Sequence, residues 1–216
     1  MALELMDLGL GSVGLYAIQL AHLAGYKVVT TASTKNHELC KSLGADVVVD
    51  VRHSASTRFR VTNPYPQYKD PNAVSKIKEV THNSIHAGLD ATSEADTQKL
   101  SVQTFGPGSG KLVTILPVQE EAQRLRPDVE LQITLLYTAL GRPVLFARTY
   151  QFPASEEDRV HMAQFLKKTS ELVKNGQIKP NPTKLFDGGL KGINAGFKYM
   201  IDGKVSGEKI VYRLSD

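Results

Sequence analysis

The stretch that most restricts what this chain can become is Gly9-Leu10-Gly11-Ser12-Val13-Gly14, a G-x-G-x-x-G between an apolar segment and residues 15–24. Those later residues, Leu-Tyr-Ala-Ile-Gln-Leu-Ala-His-Leu-Ala, repeat their apolar positions at helical spacing. Glycines at these intervals permit a tight turn, a close approach of backbone to phosphate and packing of helix on strand, while the helix amides face an anion. Alone the motif is weak. It gains force from Tyr26-Lys27-Val28-Val29-Thr30-Thr31-Ala32, a β-branched run at the distance where a βαβ unit places its second strand. The expectation is a loop for a dinucleotide pyrophosphate, against a glycine turn that binds nothing.

Residues 3–8 then become the first, central strand, although Glu4 and Asp7 interrupt the apolar run usual for a buried parallel strand. Gly44 suits the left-handed end of a helix, and 45–50 reads as the third strand. Next come helix 73–81, strand 86–90, helix 95–105, a Gly-Pro-Gly-Ser-Gly turn and strand 111–116. Such alternation indicates an α/β fold of Rossmann type, a doubly wound parallel sheet. Beyond Pro117 a charged stretch, 119–130, precedes apolar 131–140 and 144–147, one of which should be the sixth strand. Ser155 is expected to cap a long helix ending at Asn175-Gly176, with Glu156, Glu157 and Asp158 at its positive end. Residues 180–186 read as extended, 190–202 as helical and 208–214 as a closing strand.

After the second strand, where an NAD-specific protein places an Asp or Glu for the ribose hydroxyls, the sequence reads Ser33-Thr34-Lys35-Asn36. A hydroxyl from Ser33 and a cation from Lys35 suit a 2′-phosphate instead, so NADP(H) is favoured. Ser33 also reads as the N-cap of a helix over 35–43.

The remaining composition mostly excludes. A chain of 216 residues holds one domain, or one with an appendage. A single Cys40 rules out a disulfide framework or a cysteine-built zinc site within the chain, and its helical setting suggests packing. The six histidines are scattered; His82 and His86 are separated by a turn, so no metal is expected. A formal charge of +4, spread along the sequence, favours anionic ligands but not nucleic acid. No apolar run approaches the roughly 20 residues of a membrane span, and the acidic start is unlike a secretory signal. A soluble, cytoplasmic protein is expected.

Several segments together resemble the medium-chain dehydrogenase/reductase superfamily, and within it the zinc-independent fungal quinone-reductase-like and trans-acting enoyl reductases. These are Ser12-Val13-Gly14 with Ala17-Ile18-Gln19-Leu20-Ala21, Ser33 to Asn36, Lys41-Ser42-Leu43-Gly44-Ala45-Asp46, and Gly203-Lys204-Val205-Ser206-Gly207-Glu208-Lys209. The resemblance implies NADP(H)-dependent hydride transfer to an α,β-unsaturated carbonyl, an enoyl thioester or a quinone-like acceptor, with a polyketide synthase as a partner. It places Gly9, Gly11, Ser12, Val13 and Gly14 at the pyrophosphate and Ser33, Lys35 and Asn36 at the 2′-phosphate. It puts Tyr68 and Asp90 with Ala91 and Thr92 on the adenosine side, and Leu116 and Pro117 on the nicotinamide side. Residues 140–143, Leu-Gly-Arg-Pro, also fall near the nicotinamide, or form an interface or sheet-edge strand. The resemblance names no metal and no obligatory catalytic side chain.

Two departures accompany it. Members of the superfamily carry an N-terminal GroES-like catalytic domain ahead of the glycine loop. The present sequence instead divides into a cofactor-binding domain, 1–173, and a C-terminal segment, 174–216, that would return toward that domain and expose apolar surface without it. An inactive cofactor-binding remnant or interaction subunit is therefore the alternative to an enzyme. Second, the family pattern Asp-Tyr-Lys-Asp-Pro is split here: Asp50 and Tyr68-Lys69-Asp70-Pro71 are separated by 51–67, a polar stretch with Pro64 and Pro66. Val51-Arg52 can be encoded with a donor site, Thr62-Asn63 with a branch site and Gln67 with CAG, so this stretch reads as a translated intron, against a natural surface loop.

Overall fold

The structure, a computed structural model, describes residues 11–50 and 70–214, and 4–8 by their backbone. Gly9, Tyr68 and the whole 51–67 insert, Phe59 and Val61 included, lie outside the described residues.

β1 (Glu4–Leu8) is paired on both sides, by β2 (Lys27–Thr31) in the register Glu4 to Lys27, and by β4 (Ala87–Asp90). With β3 (Val47–Val49), β5 (Gly110–Thr114) and β6 (Val129–Ile133) they form one parallel sheet in the order β3-β2-β1-β4-β5-β6. The strand order reverses between β1 and β4, which opens a crevice at the carboxyl edge where such sheets bind ligands.

Alternation along each strand sends its side chains to opposite faces, and each face has its own helices. On one, Leu15, Ile18 and Ala21 of α1 (Ser12–Leu23) pack with Val28, and with Cys40 of α2 (His37–Ser42) and Leu43 just beyond it. On the other, Val29, Val49 and Leu112 meet Ile77 of α3 (Ala73–Val80), Val102 of α4 (Ala95–Thr104), the adjoining Phe105, and Ala122 of α5 (Glu120–Leu125). Each of these large apolar side chains, taken fully out of water, contributes about 1.5–3 kcal/mol.

Several expectations are corrected. The sixth strand is Val129–Ile133, which begins inside the charged stretch and takes only the first residues of 131–140, while 144–147 does not join the sheet. That stretch also forms α5, whose charged residues lie outward while Ala122 is buried. Residues 136–140 form a 3-10 turn, and β7 (Val144–Phe146) pairs in an antiparallel hairpin with β8 (Tyr150–Phe152). The expected helix over 35–43 is a 3-10 turn at 34–36 followed by α2. Ser33 precedes it in extended conformation and makes no capping bond.

Past the hairpin, α6 (Glu156–Lys174) starts at Ser155, whose Oγ accepts from the Asp158 amide at 3.1 Å, as the sequence suggests. β9 (Thr183–Phe186) and β10 (Lys209–Tyr212) form a separate parallel pair, with α7 (Ile193–Ile201) between them in sequence. Apolar side chains stand in solvent across this portion: Leu166 of α6, and Phe197, Met200 and Ile201 of α7, are all more than half exposed. Gln19 ties the portion to α1: its amide accepts from the Lys179 amide at 2.7 Å and donates to the Lys179 carbonyl at 3.2 Å.

Candidate cofactor site

Gly11 leads into α1, which follows β1 in the chain. Gly11 is extended and offers no side chain to cap the helix, and the first turn carries no acid. A β-carbon added at Gly11 would meet nothing within 4 Å. Ser12 and Val13 are exposed while Gly14 is buried against the fold. An uncapped, acid-free helix start beside open space suits an anion, because the first amides lack intrahelical acceptors and carry the positive end of the helix dipole. These residues fit a dinucleotide pyrophosphate.

At the end of β2 the chain turns through Ser33, Thr34, Lys35 and Asn36. Asn36 is buried, and its Nδ2 donates to Ser33 Oγ at 3.1 Å and to Ser206 Oγ at 2.8 Å. Two hydroxyls 173 positions apart in the chain are thereby brought onto one amide, and each keeps its own proton to donate. Gly207 explains its own presence: it has φ +65°, and a β-carbon there would press on Asn36 Oδ1 and Leu39 Cδ2, both at 3.1 Å. Lys35 is exposed. The turn is not free of acid, as the linear reading held: Asp50, just past β3, accepts from the Thr34 amide at 3.2 Å and from Thr34 Oγ1 at 2.5 Å. Sequence spacing hides this carboxylate because parallel pairing of β2 with β3 is what brings it in.

Asp90 ends β4 at the strand reversal and is fully buried. Its Oδ1 accepts from the Thr92 amide at 3.0 Å and the Ser93 amide at 2.6 Å, so the carboxylate is engaged with its own loop. Burial pushes the carboxyl pKa up from its ordinary value; the hydrogen bonds from Ser93, Thr97, Thr92 and Ser101 pull it back only in part. Ser93 takes a left-handed φ of +59°, costly for a non-glycine residue. Its hydroxyl holds it there, donating to the Asp90 carbonyl at 2.6 Å and accepting from the Ile115 amide at 2.8 Å.

Leu116 and Pro117 are half-buried beyond β5. The Leu116 carbonyl accepts from Thr114 Oγ1, and the Pro117 carbonyl from Gln98 Nε2 at 3.0 Å and Gln119 Nε2 at 3.2 Å. Farther along the same edge, a cleft of about 270 Å³ is lined by Gln132, Thr134, Leu135 and Leu136 together with Asp158 and His161 of α6. Gly141, at φ +66°, lies against Arg159 of α6, which places residues 140–143 beside that cleft. Sequence reasoning missed Gln98, Asp50 and Ser206, because each acts through a contact distant in the chain.

Among the described residues no three His, Cys, Asp or Glu side chains converge as metal ligands, and Cys40 is in the core. No helix of the described residues is long and apolar enough to cross a membrane.

Comparison with known proteins gives this edge a lineage. Residues 12–152 match the family model described as zinc-binding dehydrogenase. The trans-enoyl reductase ACTTS2 of Alternaria alternata is 32% identical over 203 residues, covering 94% of this chain and 52% of its own length. Two solved structures share the fold: the CurK enoyl reductase, with a TM-score of 0.70 at 20% identity over 98% of this chain and 55% of its own, and a mycobacterial protein complexed with NADPH, at 0.64 and 18% over 98% and 57%. The chain spans about half the length, or less, of the curated relatives it matches. The chain belongs to the zinc-binding dehydrogenase family of the medium-chain dehydrogenase/reductase superfamily, and it corresponds to the C-terminal cofactor-binding portion of the zinc-independent, enoyl-reductase-like group.

Proposed function

We propose that this chain binds NADP(H) along the carboxyl edge of its sheet and is the cofactor-binding portion of a reductase for an enoyl thioester or a quinone-like acceptor. One observation carries the reading: the acid-free, uncapped start of α1 faces open space at the strand reversal. There the amides of Ser12, Val13 and Gly14 hold the pyrophosphate. Ser33, Lys35 and Asn36 take the 2′-phosphate, with the Asp50 carboxylate limiting how strongly they do so. Asp90 shapes the adenosine side through its loop. Leu116 and Pro117 line the nicotinamide side, and the cleft next to residues 136–140 receives the acceptor. When bound, the nicotinamide supplies a hydride for the β-carbon of an α,β-unsaturated carbonyl. The names of the trans-enoyl reductase relatives favour an enoyl acceptor over a quinone, and our reading takes it as a thioester supplied by a polyketide synthase.

A second reading, an interaction subunit that binds the cofactor without turnover, is favoured by the exposed apolar side chains of Leu166, Phe197, Met200 and Ile201 on α6 and α7. Holding the acceptor against the nicotinamide in a water-poor cleft supplies about 7–11 kcal/mol of a barrier. We expect the isolated chain to bind NADPH and to turn over more slowly than about 1 per second. Fluorescence titration with NADPH tests binding, and NADPH oxidation with an enoyl thioester or a quinone tests turnover. No NADPH binding refutes both readings. Turnover at ordinary enzyme rates refutes the second.

A further inference from the structure

Gln98 lies inside α4 with a fully buried side chain, yet none of the side-chain hydrogen bonds it makes is to a residue of α4. Its Nε2 donates to the Ser93 carbonyl at 2.9 Å and the Pro117 carbonyl at 3.0 Å, and its Oε1 accepts from the Gln119 amide at 2.9 Å. One amide thus spans the loop after β4 and the loop after β5, touching only backbone. Ser93 joins the same two loops from the other side through the Ile115 amide. Packing alone does not call for an amide here. An apolar side chain of equal length would fill the space between α4 and the sheet without the cost of desolvating a polar group. What the amide adds is direction, because three bonds to three backbone groups fix where residues 115–119 stand relative to β4.

We propose that Gln98 is a positioning residue for the nicotinamide half of the cofactor, acting through the backbone at Pro117 and Gln119. The proposal rests on the reading above that Leu116 and Pro117 line the nicotinamide side. It separates the two halves of the site. The pyrophosphate and 2′-phosphate contacts stand on α1 and on residues 33–36, neither of which Gln98 touches, so they keep their geometry when Gln98 is changed.

The test is calorimetric titration of the full chain with two ligands, NADPH and 2′-phospho-ADP-ribose, which lacks the nicotinamide ring. Gln98→Met removes all three bonds at similar length; Gln98→Glu keeps the acceptor for Gln119 and sets a carboxylate against the two carbonyls. With thermal unfolding recorded in parallel, both variants should bind NADPH about five- to tenfold more weakly and 2′-phospho-ADP-ribose within about twofold of the unmodified chain. Should Gln98→Met not fold, Gln98→Glu alone carries the comparison. Equal losses for the two ligands, which a merely structural role would give, overturn the proposal, as does no loss for either. If the unmodified chain binds neither ligand, the cofactor reading itself fails; if it binds both and the selective loss is missing, only the role of Gln98 falls.

Discussion

Replacing Asp90 tests how the strand-reversal loop is built. Its Oδ1 is the acceptor for two backbone amides, Thr92 at 3.0 Å and Ser93 at 2.6 Å, and the side chain is fully buried. Asp90→Ala strands both donors. A buried donor left without a partner costs about 1–3 kcal/mol, and Thr92 is the less buried of the two, so the total loss should be roughly 2–5 kcal/mol. That is a large part of the 5–15 kcal/mol typical of a domain. Asp90→Asn keeps an oxygen for both amides and removes the charge. Its new Nδ2 stands in place of Oδ2, which accepts from Ser101 Oγ at 3.4 Å in the original; in the variant that hydroxyl can give its proton wholly to the Thr97 carbonyl at 2.8 Å and accept from Nδ2 instead. The Asn variant should therefore match or exceed the original stability at neutral pH. The sign of the pH dependence follows from burial. The folded carboxyl has a raised pKa, so the folded state binds the proton more tightly than the unfolded state does. Its contribution is fully present below the unfolded value of 3.8 and is lost as pH rises through the folded pKa. The advantage of Asn over Asp should thus be greatest near neutrality and shrink on acidification toward pH 4. Urea unfolding of the three proteins at several pH values measures this. An Ala variant as stable as the original, or an Asn variant as damaged as the Ala one, would refute the reasoning.

Other outcomes follow from the same structure. Lys35→Ala should reduce the preference for NADPH over NADH, by about tenfold, the low end for a charge-assisted phosphate contact because Lys35 is exposed; parallel titrations with both cofactors check it, and equal affinities before mutation would remove its basis. Arg126→Ala should destabilise the fold by about 1–3 kcal/mol in chemical denaturation, since the guanidinium donates to the Phe105 carbonyl at 3.0 Å and the Gly106 carbonyl at 2.7 Å, closing the end of α4. Deleting residues 51–67 should raise stability by several tenths of a kcal/mol or more, because closing a shorter loop costs less entropy. A deletion variant that fails to fold would show the segment to be part of the protein, and sequencing the gene and its transcript would decide whether it is an intron.

The sequence by itself determined the elements whose signals are local. The glycine turn and helical spacing of 11–23, the β-branched run at 27–31 and the cap at Ser155 each depend on neighbours within a few residues, and each forms where those signals place it. Where charge masked periodicity, at 119–130, the reading failed: the single buried face of α5 and the start of β6 are decided by what they pack against. The site depended still more on tertiary structure. Asp50 at Thr34, Ser206 at Asn36 and Gln98 at Pro117 are contacts between segments separated by 16, 170 and 19 positions. A hydrogen bond acts over about 3 Å, and only the pairing of strands and the docking of the C-terminal segment bring those atoms within that reach.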